Sequence, residues 1–309
     1  MTSSNEARAI ASTPYQPTGS LRGRTILMSG GSRGIGLAIA TRAARDGANI
    51  VLLAKTGEPH PTLAGTVHSA AQQIEAAGGQ ALAIVGDVRR DEDVAGAVAA
   101  AVERFGGIDV VLNNASAIDL STTDSIEMKR YDLMQDINVR GTFLLSKLAL
   151  PALRKSEHAD ILTLSPPLNL DPKWAGRHLA YTMAKYGMSL TTLGLAEELK
   201  ADGIRVNSLW PCTLIDTAAI RNMPGGRAMV QAARGPEIMA DAAHAILTGG
   251  NLPGSSLAGA SRGAGSAAGS APSGNFYSDE QVLAAAGVTD FRPYSLGAAE
   301  EQLVPDIFL

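Results

Sequence analysis

The chain has 309 residues, and its 26 basic and 30 acidic side chains give a net charge of −4. A net negative charge argues against the basic surface that binding to a phosphate backbone requires, so we expect no nucleic acid partner. Cys212 is the only cysteine and no run of 18 apolar residues occurs, which excludes an intrachain disulfide, a cysteine-based zinc cluster and a transmembrane helix.

The first 20 residues are polar and contain two prolines. They lack the basic and apolar regions of a secretory signal, so we expect a flexible N-terminal arm over 1–20. The last residues do not form a peroxisomal address, and we expect a cytoplasmic protein.

From Arg24 onward, short β-branched runs alternate with longer Ala-rich stretches of helical period. The predicted strands are 25–29, 49–54, 81–86, 109–113, 160–165 and 204–210. Predicted helices start near 34, 67, 91, 124, 139 and 178. Nearly continuous apolar strands followed by amphipathic helices predict an α/β fold with a doubly wound parallel sheet in three αβα layers, as one domain over 21–309.

Residues 251–274 interrupt this alternation. Gly, Ser and Ala fill 18 of these 24 positions. Because few large apolar side chains are available to pack, we predict a flexible insertion within the domain. The residues that follow, 274–283, predict one more strand and a turn.

The first predicted strand runs into a glycine-rich turn and then into an apolar-periodic helix. Glycine permits a tight turn and close approach to a pyrophosphate, and the helix N-terminus offers free N–H groups and a favourable dipole. A glycine cluster alone would indicate a structural turn, but its place between strand and helix predicts a dinucleotide site. The residues of this site are Gly30, Ser32, Arg33, Gly34, Ile35 and Gly36.

Tyr181 and Lys185 lie four residues apart near the start of a predicted helix, so they share a face. A nearby ammonium stabilises a phenolate and lowers the tyrosine pKa, although the same spacing also occurs in ordinary surface pairs. Ser165 ends the preceding strand and Asn138 ends an earlier helical pattern. Both therefore lie at the ends of elements, where an open α/β sheet binds its ligand.

These motifs together resemble the short-chain dehydrogenase/reductase family, in the family's order, over about residues 22–248. They are Gly30-x-x-x-Gly34-x-Gly36, Asp87, Asn113-Asn114-Ala115, Asn138, Ser165 and Tyr181-x-x-x-Lys185. The resemblance implies a Rossmann-type fold and an NAD(P)-dependent oxidoreductase acting on CH–OH donors. A built-in lipid-carrier domain is not implied by this resemblance.

The resemblance also implies a role for each site residue. Tyr181 is expected to be the general acid/base, with Lys185 holding the nicotinamide ribose and lowering the Tyr181 pKa. Ser165 is expected to bond the substrate carbonyl, and Asn138 to hold a water that relays protons to Lys185. The further cofactor contacts implied are Asp87, Val88, Asn114, Ala115, Pro211 and Thr213.

Three positions depart from the family pattern. Ser116 replaces a glycine after Asn-Asn-Ala, and Cys212 replaces a glycine after Pro211. Ser165 precedes Tyr181 by 16 residues rather than the usual 13, and we expect the extra residues in 166–178 to form a wall or lid of the substrate site.

The cofactor is predicted to be NADP rather than NAD. NAD enzymes of this fold place an acid at the end of the second strand, where it bonds the ribose 2′-hydroxyl and repels a 2′-phosphate. Here the strand ends at Ala54 and Lys55 follows, with Arg33 as a second cation. The alternative is that Lys55 is a solvated loop charge and Arg33 points away.

We therefore expect an NADP-dependent oxidoreductase that interconverts a small-molecule alcohol and carbonyl. A lipid-like, acyl or terpenoid substrate is favoured because 166–174 and 214–226, expected to line the pocket, carry Leu168, Trp174, Ile215 and Met223. The alternatives are a dinucleotide-binding scaffold or sensor with little turnover, and an epimerase or dehydratase.

The helices at 139–155 and 178–200 have wide apolar faces, which members of the family commonly pair between subunits, so we expect a homodimer or homotetramer. The five histidines show no metal-ligand spacing, and no metal is expected.

Overall fold

A computed structural model describes residues 13–59, 64–223, 225–250, 252–253 and 272–309. Within these ranges the sheet is formed by β1 (Thr25–Ser29), β2 (Asn49–Ala54), β3 (Gln80–Val85), β4 (Val110–Asn113), β5 (Asp160–Thr163), β6 (Arg205–Trp210) and β7 (Phe276–Ser278). Every pairing in it is parallel, and the strand order is β3-β2-β1-β4-β5-β6-β7.

Helices flank both faces of the sheet. Their bounds are α1 (Gly34–Arg45), α2 (Val67–Ala76), α3 (Asp91–Phe105), α4 (Met128–Met134), α5 (Gly141–Leu153), α6 (Pro172–Arg177), α7 (Leu179–Glu198), α8 (Ala218–Arg221), α9 (Gly226–Met229), α10 (Glu237–Leu247) and α11 (Asp279–Ala285). A π-helical segment, Gln135–Arg140, joins α4 to α5, and short 3₁₀ turns lie at Lys200–Asp202, Val230–Ala232, Arg292–Tyr294 and Glu300–Gln302.

The predicted three-layer parallel fold is confirmed. β1, β2, β4 and β5 are buried at every position, as strands covered by helices on both faces must be, whereas β3 lies at an edge and is only partly buried. One apolar cluster packs α1, α2, α10 and α11 against one face, and a second packs α3, α5 and the end of α7 against the other.

The ends of β3, β4, β5 and β6 differ from the prediction by one or two residues, and two differences are larger. The fourth helix begins at Met128 rather than near 124, because the amide of Ile126 bonds the Thr122 carbonyl at 3.0 Å in a separate turn. After β7 the chain enters the helix α11, where the sequence predicted a turn. The Ser278 hydroxyl caps that helix by accepting from the amide of Gln281.

The strand order places a topological switch point between β1 and β4. The chain proceeds outward from β1 to β3, then crosses back through α3 and continues from β4 on the other side. The loops that follow β1 and β4 therefore leave in opposite directions, and a crevice opens at their carboxyl ends.

The described part of the predicted N-terminal arm begins at residue 13, and Tyr15 within it is anchored rather than flexible. Tyr15 is 5% exposed, and its hydroxyl lies 3.0 Å from Nδ1 of His244 in α10. On the other side of the ring, Nε2 lies 2.8 Å from an Asp46 carboxylate oxygen, so a neutral ring with its proton on Nε2 satisfies both partners. Residues 1–12 and most of the predicted insertion over 251–274 lie outside the described residues.

In the described ranges, no helix is both long enough and apolar enough to cross a lipid bilayer.

His244 provides a test of this anchor. Burial lowers the pKa of His244 below its ordinary 6.5, so the unfolded chain takes up a proton there before the folded chain does as the pH falls. The stability that the neutral ring provides is complete above pH 6.5 and is lost as the pH falls towards the folded pKa. We expect the unfolding free energy lost in His244→Gln to be larger at about pH 8 than at about pH 5.5, by roughly 1 kcal/mol.

Denaturant unfolding at the two pH values measures this difference. The matched control is His158→Gln, because His158 is exposed on the surface. Equal pH dependence in the two variants would contradict a buried, neutral His244.

Candidate active site

A cavity of about 700 Å³ occupies the crevice at the carboxyl ends of the strands. Most of the predicted site residues line it: Gly30, Ser32, Arg33, Gly34, Ile35, Lys55, Asp87, Val88, Asn114, Ala115, Tyr181, Lys185 and Pro211. The fold thus brings together the glycine turn, the end of β2 and the tyrosine–lysine helix. Four predicted residues do not line the cavity: Gly36, Asn138, Ser165 and Thr213.

The glycine turn is fixed by the Asn114 side chain. Its amide donates to the backbone carbonyls of Ser29 at 3.0 Å and of Gly30 at 2.6 Å. Gly30 has a left-handed φ of 74°, and a Cβ on Gly36 would lie 2.6 Å from the Asn114 amide nitrogen. Neither position therefore accepts a side chain without moving this contact.

The N-terminus of α1 points into the same turn. Its N-cap residue, Arg33, makes no side-chain cap, and the first turn carries no acidic residue. The backbone N–H groups there are available to an anionic ligand, which the helix dipole also favours.

Lys55 and Asp87 form an ion pair at the far end of the cavity. The Lys55 ammonium lies 3.3 Å from the Asp87 carboxylate, which also accepts two-pronged hydrogen bonds from Arg89. These two cations outweigh the effect of burial and hold the pKa of Asp87 at about 2, so the carboxylate is charged at neutral pH. The Lys55 side chain remains 58% exposed and open to a second anion.

Arg33 lies beside this pair on the cavity wall. Its guanidinium donates to the Gly65 carbonyl at 2.7 Å, and its buried Nε has no partner among the described residues. The Thr213 hydroxyl, next to Pro211, is likewise buried without a described partner. Buried polar groups are rarely left unpaired, so the Nε of Arg33, which lines the cavity, indicates a ligand contact there, whereas Thr213 lies outside the lining.

Tyr181 and Lys185 lie one turn apart on α7 and are 4% and 3% exposed. The Lys185 ammonium donates to the Leu164 carbonyl at 2.9 Å and lies 5.0 Å from the centre of the Trp210 ring. Among the described residues the Tyr181 hydroxyl has no hydrogen-bond partner, and the side chain faces the cavity.

Burial governs the protonation of both groups. It raises the pKa of Tyr181 far above its ordinary value, and it lowers the pKa of Lys185 to about 7. Both causes of the Tyr181 shift, burial first and then the Asp306 carboxylate, raise the pKa, and Lys185 is not among them. At neutral pH the Tyr181 phenol is protonated and able to donate.

Ser165 is not placed as the sequence predicted. It is fully buried, and its hydroxyl lies 2.8 Å from that of Ser208, which donates to Thr192 at 2.9 Å. The side chain therefore joins β5 to β6 and α7 beneath the cavity rather than facing Tyr181.

The Asn138 side chain forms hydrogen bonds with the backbone. It lies in the π-helical segment and is fully buried, and its amide accepts from the Ala117 N–H at 2.7 Å and donates to the Ala117 carbonyl at 3.0 Å. The side chain fixes the loop after β4, and Lys185 bonds a carbonyl directly.

The cavity walls are mostly apolar, but they come partly from an unexpected segment. Ile215 and Met223 line the cavity as predicted, whereas Leu168 and Trp174 do not. Trp174 instead packs on Phe308, with ring centres 5.9 Å apart.

The C-terminal segment 304–307 supplies a wall that the sequence analysis missed. It pairs with the chain after β6, where the amide of Leu214 bonds the Val304 carbonyl at 2.9 Å and the amide of Asp306 bonds the Cys212 carbonyl at 3.0 Å. No local pattern in the sequence marks this contact, although the apolar Ile307-Phe308-Leu309 indicates a buried end.

The site suits a dinucleotide such as NAD(P). The glycine turn and the free helix N-terminus provide a place for a pyrophosphate, and the lining of the same cavity includes Tyr181, Lys185 and Arg33, whose Nε has no described partner.

Comparisons with known proteins agree with this geometry. Residues 24–225 match the family model for short chain dehydrogenases. Over 94% of its length, the chain is 50% identical to hydroxysteroid dehydrogenase-like protein 2 of Xenopus laevis and 48% identical to the protein of that name from Homo sapiens. It spans 65% of the length of each of these curated relatives.

Two solved structures extend the comparison. A putative dehydrogenase from Xanthomonas campestris has a TM-score of 0.83 at 48% identity, and the match covers 94% of this chain and 99% of that one. A short chain dehydrogenase from Mycobacterium thermoresistibile has a TM-score of 0.83 at 49% identity, covering 94% and 96% of the two chains.

The chain therefore belongs to the short-chain dehydrogenase/reductase family, whose members bind NAD(P). The resemblance inferred from the sequence motifs is confirmed.

The contact between Gly36 and Asn114 gives a test of the dinucleotide site. In Gly36→Ala the new methyl group would displace the Asn114 amide and open the glycine turn. We expect NADPH affinity to fall at least about tenfold, which corresponds to about 1.4 kcal/mol. Titration of protein fluorescence with NADPH measures the loss.

The control is Gly96→Ala, because a Cβ at this exposed position in α3 meets nothing within 4 Å. If Gly36→Ala bound NADPH as tightly as the control does, the turn would not be part of the site.

Proposed function

We propose that this chain is an NADP-dependent oxidoreductase that interconverts an alcohol and a carbonyl by hydride transfer, with Tyr181 as general acid/base. The observation that carries the proposal is the placement of Tyr181 and Lys185. Both line an apolar cavity that is continuous with the glycine turn, and the Tyr181 hydroxyl has no described protein partner. A phenol hydroxyl that has no hydrogen-bond partner in the protein is free to donate a hydrogen bond to a ligand oxygen.

When bound, the nicotinamide cofactor supplies or accepts the hydride. The chain's own residues transfer the proton to and from the substrate oxygen. The Tyr181 hydroxyl donates it to the carbonyl oxygen during reduction, and the Lys185 ammonium, fixed by the Leu164 carbonyl, stabilises the phenolate that remains. Burial keeps the Tyr181 phenol protonated at neutral pH, so it is able to donate this proton.

Two cations that line the cavity support NADP rather than NAD as the cofactor. Lys55 and Arg33 both line the cavity, and β2 ends at Ala54 without an acidic selector. The Asp87 carboxylate neutralises part of the Lys55 charge. Lys55 is 58% exposed, however, and can contact a 2′-phosphate while it stays near Asp87.

The walls around the reaction site support a lipid-like, acyl or terpenoid substrate. They come from the loop after β4, the region 214–239 and the C-terminal segment. The apolar side chains among them are Ile118, Leu120, Trp210, Leu214, Ile215, Met223, Met229, Met239 and Ile307. A sugar would leave its hydroxyls unpaired against such walls.

The placement of Ser165 is the observation that favours the alternative, a dinucleotide-binding scaffold or sensor with little turnover. A hydroxyl that bonds Ser208 is not at the reacting oxygen. Tyr181 and Lys185 are still arranged as an acid and its charge partner, a pair that a scaffold does not need.

We also infer that the chain forms a homodimer or homotetramer through α5 and α7. The outer faces of these helices expose large apolar side chains: Phe143 is 51% exposed, Met183 48%, Leu190 57% and Leu193 39%. Several large apolar side chains exposed on neighbouring helices are typical of subunit contacts.

Substitution of Tyr181 by Phe tests the proposed catalytic role. The change removes the proton donor and keeps the ring that stacks on Phe308, with ring centres 6.2 Å apart. We expect kcat for NADPH-dependent reduction of a panel of aliphatic aldehydes and ketones to fall at least about 100-fold, with NADPH affinity unchanged.

Tyr186→Phe is the control, since the Tyr186 hydroxyl bonds a backbone carbonyl outside the cavity. Turnover of Tyr181→Phe near that of the wild type would contradict the catalytic assignment. A wild-type protein that binds NADPH but reduces no member of the panel would favour the scaffold.

Lys55→Ala tests the cofactor preference. Loss of a charge-assisted contact is expected to weaken NADPH binding by about 1–2 kcal/mol, while NADH binding stays nearly unchanged. Calorimetric titration with each cofactor measures both affinities.

A matched surface variant is Lys129→Ala, whose side chain is 78% exposed and pairs with Glu127. Equal losses for the two cofactors in Lys55→Ala, or tighter NADH binding by the wild type, would exclude the NADP preference.

A further inference from the structure

The position of Ser165 leaves the reacting oxygen with one described donor. A carbonyl oxygen that gains negative charge during reduction is stabilised best by more than one positioned hydrogen bond. Tyr181 can provide one of these bonds. The Ser165 hydroxyl is bonded to Ser208, and the next residue, Pro166, has no donor.

The C-terminal segment brings another polar group to the same cavity. Besides the backbone bonds to Cys212 and Leu214, the Trp210 indole donates to the Ile307 carbonyl at 2.8 Å. Phe308, which is 2% exposed, then stacks on the Tyr181 ring. The segment is thus fixed on both sides of Asp306.

Asp306 lines the cavity together with Tyr181 and Lys185. One of its carboxyl oxygens accepts from the Ile307 N–H at 2.7 Å, which orients the side chain. No described group donates to the other oxygen, and that oxygen is not among the enclosed, unpaired polar atoms. It therefore opens to the cavity.

The groups around Asp306 decide its protonation. Lys185 and Tyr181 face it from α7, Asp279 faces it from the start of α11, and Cys212 lies beside its backbone. Burial and the Asp279 carboxyl raise the pKa of Asp306 to about 7, against the opposing effect of Lys185. Burial likewise raises the pKa of the Cys212 thiol to about 12, so this neighbour is neutral. A carboxyl kept neutral in an apolar site can donate a hydrogen bond.

We propose that Asp306 is a further catalytic residue, whose protonated carboxyl donates a hydrogen bond to the substrate oxygen beside Tyr181. This inference rests on the proposed reductase function. In the reduction, the C=O π bond breaks, a hydride from the reduced nicotinamide forms the new C–H bond, and the Tyr181 proton forms the new O–H bond. The nicotinamide is oxidised, and Asp306 keeps its proton throughout.

Two substitutions distinguish hydrogen-bond donation from charge. Asp306→Asn keeps a donor and an oxygen that can accept from Ile307 but cannot ionise, whereas Asp306→Ala removes both. We expect kcat for NADPH-dependent reduction of decanal and 2-decanone, at about pH 6, to fall about 100-fold in Asp306→Ala. Asp306→Asn should stay within about threefold of the wild type, because the donor is retained.

The pH dependence gives a second readout. Wild-type kcat should decline as Asp306 ionises at a pH near 7, and this part of the decline is absent from Asp306→Asn. The ratio of kcat in Asp306→Asn to that in the wild type should rise roughly tenfold between pH 6 and pH 8. The Asp306 carboxylate raises the pKa values of Lys185 and Tyr181, so both groups shift alike in Asp306→Asn and Asp306→Ala, and comparison of these two variants removes their contribution.

The control is Glu301→Gln, an exposed carboxyl in the same C-terminal region. Melting temperature and NADPH affinity, measured for all variants, separate loss of donation from loss of folding. Folded variants with equal losses in Asp306→Asn and Asp306→Ala, or a constant kcat ratio between pH 6 and pH 8, would overturn the proposal while the reductase function stands. Absence of turnover in the wild type would instead contradict the reductase function, and Asp306 would then have no reacting oxygen to bond.

Discussion

Pairing of β1 with β4 is the constraint on which the whole site depends. The register places Ser29 beside Asn113, so the next residue, Asn114, reaches back and bonds the carbonyls of Ser29 and Gly30. The chain reverses its direction of travel across the sheet between these strands, and the crevice opens there for that reason. The glycine turn, the end of β2 and the start of α7 converge on this crevice because each follows the carboxyl end of a parallel strand.

The features that sequence predicted correctly are those set by local pattern. β1 and β2 were bounded without error because each is a continuous apolar run, and both are buried along their full length. The shared face of Tyr181 and Lys185 follows from helical spacing alone. The glycine turn was also predictable, since its meaning comes from its place between a strand and a helix.

The features that sequence could not provide depend on side-chain direction or on contacts between distant residues. Ser165 lies just past the end of β5, and nothing in the local sequence shows that its hydroxyl bonds Ser208, 43 residues away. The contact between Trp210 and Ile307 spans 97 residues. A five-residue C-terminal end carries too little periodicity to predict that it packs on α7. The extra residues before α7 were expected to cover the cavity, but Trp174 covers Phe308 instead.

The apolar wall of the cavity excludes water, and this exclusion of water also sets the protonation states of the site residues. Phe308 packs among Trp174, Tyr181, Tyr186 and Trp210, and this cluster removes water from around the phenol. The same dehydration raises the pKa values of Tyr181 and Asp306 and lowers that of Lys185, so all three groups shift towards their neutral forms. Hydrogen bonds made by neutral donors in such a setting face little competition from water. An apolar substrate that filled the remaining space would exclude further water, and it would therefore keep Tyr181 and Asp306 in their protonated forms, which can donate hydrogen bonds.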